Sequence, residues 1–423
     1  MKCPITIPYA GSEKRLAVEQ DRLAFCVAPV LPPRPSPTEE QDAVRRAISA
    51  PVGGQRLDQL ARQAQRAAVL VDDFTRPTPA YKILPVVLQE LADAGVADHN
   101  VRIVIARGMH RRLDAADMAR KVGSDVLARF EVQNHENDRD LVYLGESQRG
   151  TPVWINRTVA EADMRVAVGS VCAHPIAGYG GGAKIIVPGV AGHQTIHVNH
   201  SRCDHPSVTI GRIDGNPIRE DMNDIARMAK LDFIVNTILN PHREIIGAVA
   251  GDVIEAHREG VSLYNQLYGV PVRQHAELVV VGASPRDATF GHATFALYAG
   301  ASITEPAGTM VLVAPCTEGP GTEDSRTRFR ELAGKPLDEL MELIRQGKVS
   351  ASGGAFDYAY ARGVQDRQVV LVSDSFSASE AADLGVRHSE SVQKAVDDCL
   401  AGMTSDARVG VLPTGGLTVP VLD

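Results

Sequence analysis

One pattern constrains this chain more than any other: short β-branched runs, each followed by a polar or glycine-rich loop and then an alanine-rich amphipathic stretch. Ala67–Asp72, Val101–Ala106 and Arg165–Gly169 form a first set of such runs. Glu277–Gly282, Met310–Ala314, Gln368–Ser373 and Arg408–Leu412 form a second. Strands separated by helical stretches pair in parallel, because the chain has to cross back before the next strand begins. The expected fold class is α/β, with two domains, each a mostly parallel sheet with flanking helices, and an active site in the cleft between them. Glu255–Tyr268 reads as a helix that stops at Gly269 and Pro271, so the expected boundary separates an N-terminal domain, 1–269, from a C-terminal domain, 270–423. The proline-rich segment Ala28–Glu40 reads as an extended connector into a helix near Gln41–Ala50. No sequence repeat of solenoid or propeller length is present.

Composition narrows the function. Lysine and arginine number 44 against 52 aspartates and glutamates, a net charge of −8 with histidine neutral. That balance argues against nucleic acid or an anionic membrane surface as partner. Only 4% of residues are aromatic, too few for base stacking to carry the function. Six scattered cysteines without a CxxC motif read as reduced thiols of a cytoplasmic protein. The first twenty residues are charged and lack an apolar core, so no secretory signal is expected. The longest apolar runs fall far below the roughly 20 residues that span a bilayer.

Ligands of open parallel sheets sit at the carboxyl ends of the strands, which directs attention to three loops. Ala67–Asp72 runs into Asp73-Phe74-Thr75-Arg76-Pro77, which offers acceptors, a hydroxyl and a guanidinium suited to an anion. A turn with a local ion pair explains the same residues. Val101–Ala106 runs into Gly108-Met109-His110-Arg111, and Arg165–Gly169 into Ser170-Val171-Cys172-Ala173-His174-Pro175. A lone loop histidine is commonly structural; two in equivalent positions strengthen an acid–base reading.

The densest segment is Gly178-Tyr179-Gly180-Gly181-Gly182-Ala183-Lys184, whose glycines let the backbone approach a ligand and aim N–H groups at an anion. Its spacing is not that of a Walker A loop, and its match to the dinucleotide fingerprint is loose because Pro188 soon interrupts any helix. Next come His193, His197 and His200, which share one face within about 60° if the segment is helical. Gln194 replaces the glutamate of a zincin, and one functional histidine with two that cap or pack fits better than a three-histidine zinc site. An arginine for a carboxylate, two histidines from different loops and a lysine in a glycine cradle suggest stereochemical inversion of a small anionic substrate. A cofactor-independent two-base epimerase, a lysine Schiff-base enzyme using pyridoxal phosphate, and a non-enzymatic nucleotide-binding sensor stand as alternatives.

Taken together, Asp73-Phe-Thr-Arg76-Pro, Gly108-Met-His110-Arg, His174-Pro-x-x-Gly-Tyr-Gly-Gly-Gly-Ala-Lys184-x-x-x-Pro-Gly and Asn199-His200 resemble the nickel-pincer lactate racemase family. Gly215-Asn216-Pro217-x-Arg219-x-Asp221 and Leu231-Asp-Phe-Ile-Val-Asn236 extend the resemblance over roughly 65–260. It implies a racemase or epimerase of 2-hydroxy acids that uses a nickel pyridinium-3,5-bisthiocarboxylic acid mononucleotide. By position in the motif, Lys184 would carry the cofactor covalently and His200 would be the protein ligand to nickel. Asp73, Thr75 and Arg76 would hold the cofactor and the substrate carboxylate, and His110 and His174 would be the acid–base pair. The hydride chemistry would belong to the cofactor, whose biosynthesis proteins are then expected partners.

The second half departs from the family pattern. In Pro285-Arg286-Asp287-Ala-Thr-Phe-Gly291-His292-Ala-Thr-Phe295, Gly291, His292 and Phe295 stand where the family usually has an aromatic residue, glutamine and lysine. A lost aromatic opens space and a lost lysine removes charge, so His292 and Phe295 are expected to meet a substrate larger than lactate, such as a sugar acid or an aryl hydroxy acid.

Overall fold

A computed structural model describes residues 1–321, 329, 331 and 334–422. Two six-stranded sheets dominate it. In the first, the strands run in the spatial order Ile245–Gly251, Phe233–Leu239, Met164–Ser170, Ala67–Asp72, Val101–Ala106, Glu131–Asn134. All neighbours are parallel except Ile245–Gly251, which returns antiparallel at one edge. The central strands are buried on both faces, which is why they read as unbroken apolar runs rather than alternating ones.

From Ala67–Asp72 the chain first builds outward through Val101–Ala106 and Glu131–Asn134, then crosses to the other side at Met164–Ser170. The two strands flanking that reversal part their following loops and leave a crevice at their carboxyl ends. The second sheet is wholly parallel, in the order Arg387–Ser389, Gln368–Val372, Thr304–Val313, Ala276–Gly282, Val409–Leu412, Leu23–Cys26. Its reversal lies between Ala276–Gly282 and Val409–Leu412, so the loop after Gly282 opens its own crevice.

The expected 1–269 division does not describe the first residues. Leu23–Cys26 pairs with Val409–Leu412, and the hairpin Lys2–Tyr9/Ser12–Glu19 buries Ile5, Ile7, Leu16 and Val18 against Leu278, Val280 and Val311 of the second sheet. The connector then enters a helix at Pro37, four residues before the expected start, because Ser36 caps it and Glu39 closes the capping box. A single buried apolar cluster runs from Leu70 and Val104 through Ile176 and Ile186 to Val281 and Phe290, fastening the two sheets together. Among the described residues no helix is long and apolar enough to cross a membrane.

Candidate active site

The crevice of the first sheet is lined by the loops singled out above. Asp73 is buried, and its Oδ1 accepts hydrogen bonds from the Thr75 amide at 3.1 Å and the Thr75 hydroxyl at 2.6 Å. His110 Nδ1–H donates to Asp73 Oδ2 at 2.6 Å. A carboxylate on Nδ1 fixes the tautomer and leaves Nε2 as the nitrogen that exchanges protons. Burial works to raise the Asp73 pKa, but the bond and charge of His110, the Thr75 hydroxyl and Arg76 outweigh it and hold the carboxyl below its ordinary range. The His110 turn is itself fixed: Arg107 bonds the His135 and His110 carbonyls, and the Gly108 amide donates to Gly189 O at 2.9 Å. Gly108 has φ +53°, and a Cβ there would press on Pro188.

Lys121 anchors the neighbouring turn. Its ammonium pairs with Asp72 at 2.6 Å and donates to the carbonyls of Arg76 and Thr78. The Arg76 guanidinium pairs with no carboxylate among the described residues, so its charge is available to an anion.

Across the reversal, His174 is 1% exposed. Its Nδ1 accepts from the amides of Ile176 and Ala177, which puts the ring proton on Nε2, a buried atom with no partner. Burial, then the charges of Lys184, Arg76, Arg219 and His200, push its pKa well below the ordinary histidine value. Phe356, from the helix Ala351–Val364, meets the ring edge-on at 5.3 Å.

The glycine segment is a tight loop leading into a single 3-10 turn, Gly182–Ile185, and not a helix N-terminus of the dinucleotide type. Three clamps hold it. Arg219, fully buried, donates to the carbonyls of Ala177, Tyr179 and Gly181. Asn236 accepts from the Gly182 amide at 2.8 Å, and His257 Nε2 donates to Gly180 O at 2.8 Å. Gly181 and Gly182 have φ +75° and +57°, and a Cβ on either would strike Asn236 or the His257 ring. Lys184 leaves this loop half-buried, and burial with the cations Arg76 and Arg219 pushes its pKa well below the ordinary lysine value. A neutral amine is a nucleophile.

His193–His200 is a helix, as its histidine spacing required. The three rings nevertheless part company. His193 and His197 stack at 6.3 Å toward the surface, while His200 is buried, with an unpartnered Nδ1. Burial and then the Lys184 charge lower its pKa to about 3. Asn199 donates to Asp221, whose carboxylate also accepts from Ser147 and Thr151, and so locks the end of the helix that carries His200. Among the described residues, no three His, Cys, Asp or Glu side chains gather as a self-sufficient metal site.

Residues 9–211 match the model of the lactate racemase N-terminal domain. A lactate racemase of Lactiplantibacillus plantarum is 29% identical over 382 residues, covering 89% of this chain and 90% of that one. One of Thermoanaerobacterium thermosaccharolyticum is 28% identical over 418 residues, 97% of each chain. The solved lactate racemase apoprotein of the latter organism superposes with a TM-score of 0.89 at 26% identity, over 99% of this chain and 100% of that one. The chain is thus similar to lactate racemases over nearly its whole length, and residues 9–211 match the model of their N-terminal domain. A structure from Thermotoga maritima, with a TM-score of 0.65 at 17% identity over 93% of this chain and 100% of that one, shares the fold.

For these residues to act together they have to face one space. Asp73, Thr75, Arg76, His110, His174, Lys184 and His200 all lie at the carboxyl end of the first sheet, and Arg76 acts electrostatically on Asp73, His174 and Lys184. His292 is exposed at the start of the helix Phe290–Ala301. Burial, then Arg286, and also Arg76, lower its pKa, with Glu318 opposing. Phe295 is packed between Tyr298 and Phe356, with the Arg286 guanidinium 4.4 Å from its ring centre. Arg219 and Asn236 stood in the motifs without an assigned task, and His257 and Phe356 gave no sequence signal at all. The cofactor that the resemblance implies fits these residues: two orphaned ring nitrogens, a lysine whose charged form is disfavoured and a buried arginine without a carboxylate would suit an anionic group with its own donors.

Proposed function

We propose that this chain racemises or epimerises a 2-hydroxy carboxylic acid larger than lactate, using a nickel-pincer mononucleotide joined to Lys184. The observation that carries this reading is the pocket around Lys184, where His174 Nε2 and His200 Nδ1 are both buried and unpartnered beside a lysine whose charged form is disfavoured. In this reading Lys184 would hold the cofactor through its amine, and His200 would be the protein's ligand to the nickel, imidazole being a borderline donor suited to it. When bound, the cofactor supplies an acceptor for hydride and returns it.

The chain's own residues do the rest. Arg76 holds the substrate carboxylate, and Asp73 and Thr75 fix the loop that presents it. His110 and His174 take the hydroxyl proton on one face and give it back on the other, Asp73 keeping the His110 ring in register. This division of labour avoids a carbanion beside a carboxylate, the species a two-base proton abstraction has to form. Residues up to 269 would carry cofactor and acid–base groups, and 270–423 the substrate side, where Gly291 has no side chain and a Cβ would meet Pro320 O, Thr289 Oγ1 and the Phe329 ring at ordinary contact distances of 3.6, 3.8 and 3.9 Å. The six cysteines form no disulfide, which supports a reducing, cytoplasmic setting in which cofactor-biosynthesis proteins act on the chain.

A 2-hydroxy acid deuterated at Cα tests the mechanism. Retention of the label in both stereoisomers is expected, and its washout into water would mean proton abstraction instead. Across a panel of 2-hydroxy acids, a sugar acid or aryl hydroxy acid is expected to exceed lactate in kcat/KM. Lactate at the top would overturn the substrate assignment.

A further inference from the structure

A second cavity, of about 160 Å³, lies where the two halves of the molecule meet. Pro175, Thr209 and Ile210 line it from one half, and Ser302, Arg362 and Arg367 from the other. It adjoins the site described above without sharing its residues: Pro175 follows His174, and Arg362 lies on the helix that carries Phe356. No carboxylate lines it.

Its two arginines make no ion pair among the described residues. Arg362 reaches across to the carbonyls of His205 and Val208. Arg367 donates to the carbonyls of Gly363 and Thr304, at 3.3 and 2.9 Å, and its Nε is buried with no acceptor. Asp366 and Glu305 act on Arg367 only at a distance. A buried N–H without a partner is costly and calls for an acceptor that completes it. Two guanidinium groups, the hydroxyl of Thr209 and a space of this size suit a small oxyanion.

We propose that this cavity is a binding site for a small oxyanion, a carboxylate or phosphate group held by Arg362 and Arg367, separate from the substrate site. The ligand bears on both sides of the active centre, because Pro175 is joined to His174 and the 205–208 segment follows the helix of His200.

Calorimetric titration of the full chain with inorganic phosphate and, separately, with succinate at constant ionic strength tests this. Saturable binding of one anion per chain is expected, the tighter of the two identifying the ligand class. Arg367→Gln, and Thr209→Asp as a variant that leaves both arginines in place, are expected to weaken it at least about tenfold. Arg76→Gln is expected to leave it intact. No saturable binding of either anion, binding unchanged in both cavity variants, or binding lost in Arg76→Gln would each overturn the proposal.

Discussion

His110 Nδ1 lies 2.6 Å from Asp73 Oδ2, a bond that joins the loops of two adjacent parallel strands. It turns a half-exposed imidazole into an oriented one with a fixed tautomer. Asp73→Asn reverses the sense of that bond, since an amide can donate to Nδ1 and so move the ring proton to Nε2. Activity is expected to fall about 100-fold or more in kcat. Mass analysis of the same variant is expected to show the Lys184 adduct still present, which separates loss of the acid–base group from loss of cofactor.

The clamp on the glycine loop predicts a stability effect. Arg219 satisfies three carbonyls from a fully buried position, and burial alone lowers its pKa to about 9. Arg219→Met orphans those carbonyls and is expected to cost about 3 kcal/mol or more, read as a lower urea midpoint together with reduced adduct at Lys184. A variant with unchanged midpoint and full loading would show that the loop holds its shape without the clamp.

Acid sensitivity follows from His135. It is fully buried, its Nε2 donating to Ala191 O at 2.9 Å, and burial brings its pKa down to about 4 from the ordinary 6.5. Between those values the unfolded chain binds a proton that the folded chain does not. Stability from this residue is thus complete above about pH 6.5 and declines as pH falls toward 4, by roughly 3 kcal/mol in all. Urea denaturation at pH 7 and pH 4.5 is expected to show a smaller pH-dependent loss in His135→Gln than in the parent. An equal loss in both would assign the acid sensitivity elsewhere.

Gly291→Tyr tests the substrate-side reading. Its backbone is not in the left-handed region and a Cβ there would meet its nearest atoms at ordinary contact distance, 3.6 Å or more, so a side chain can begin there without a clash. Filling the space is expected to lower kcat/KM for the larger 2-hydroxy acid at least about tenfold and shift the ratio of the two kcat/KM values toward lactate. Loss of both activities in equal measure would indicate that residue 291 does not face the distal part of the substrate.

The strands and their functional loops were legible because a strand buried on both faces is written as a continuous β-branched run, and its polar continuation stands out against it. Asp73, His110 and His174 were visible for that reason. What escaped was every feature made by distant pairing. Leu23–Cys26 joins a strand almost four hundred residues later, which no local pattern records. His257 reads as one more helix residue until the fold carries it to Gly180, and Phe356 as one more apolar position until it meets His174. The histidine stripe on His193–His200 had the opposite fault: periodicity put three rings on one face, and packing buried only the last.

The proposed chemistry rests on Lys184 and the group joined to it. Intact-mass and nickel analysis of the chain made in a host that builds the cofactor tests it most directly. One mass addition mapped to Lys184 with one nickel per chain is expected, both lost in Lys184→Ala together with activity. Active protein without that addition, or full activity in Lys184→Ala, would contradict it.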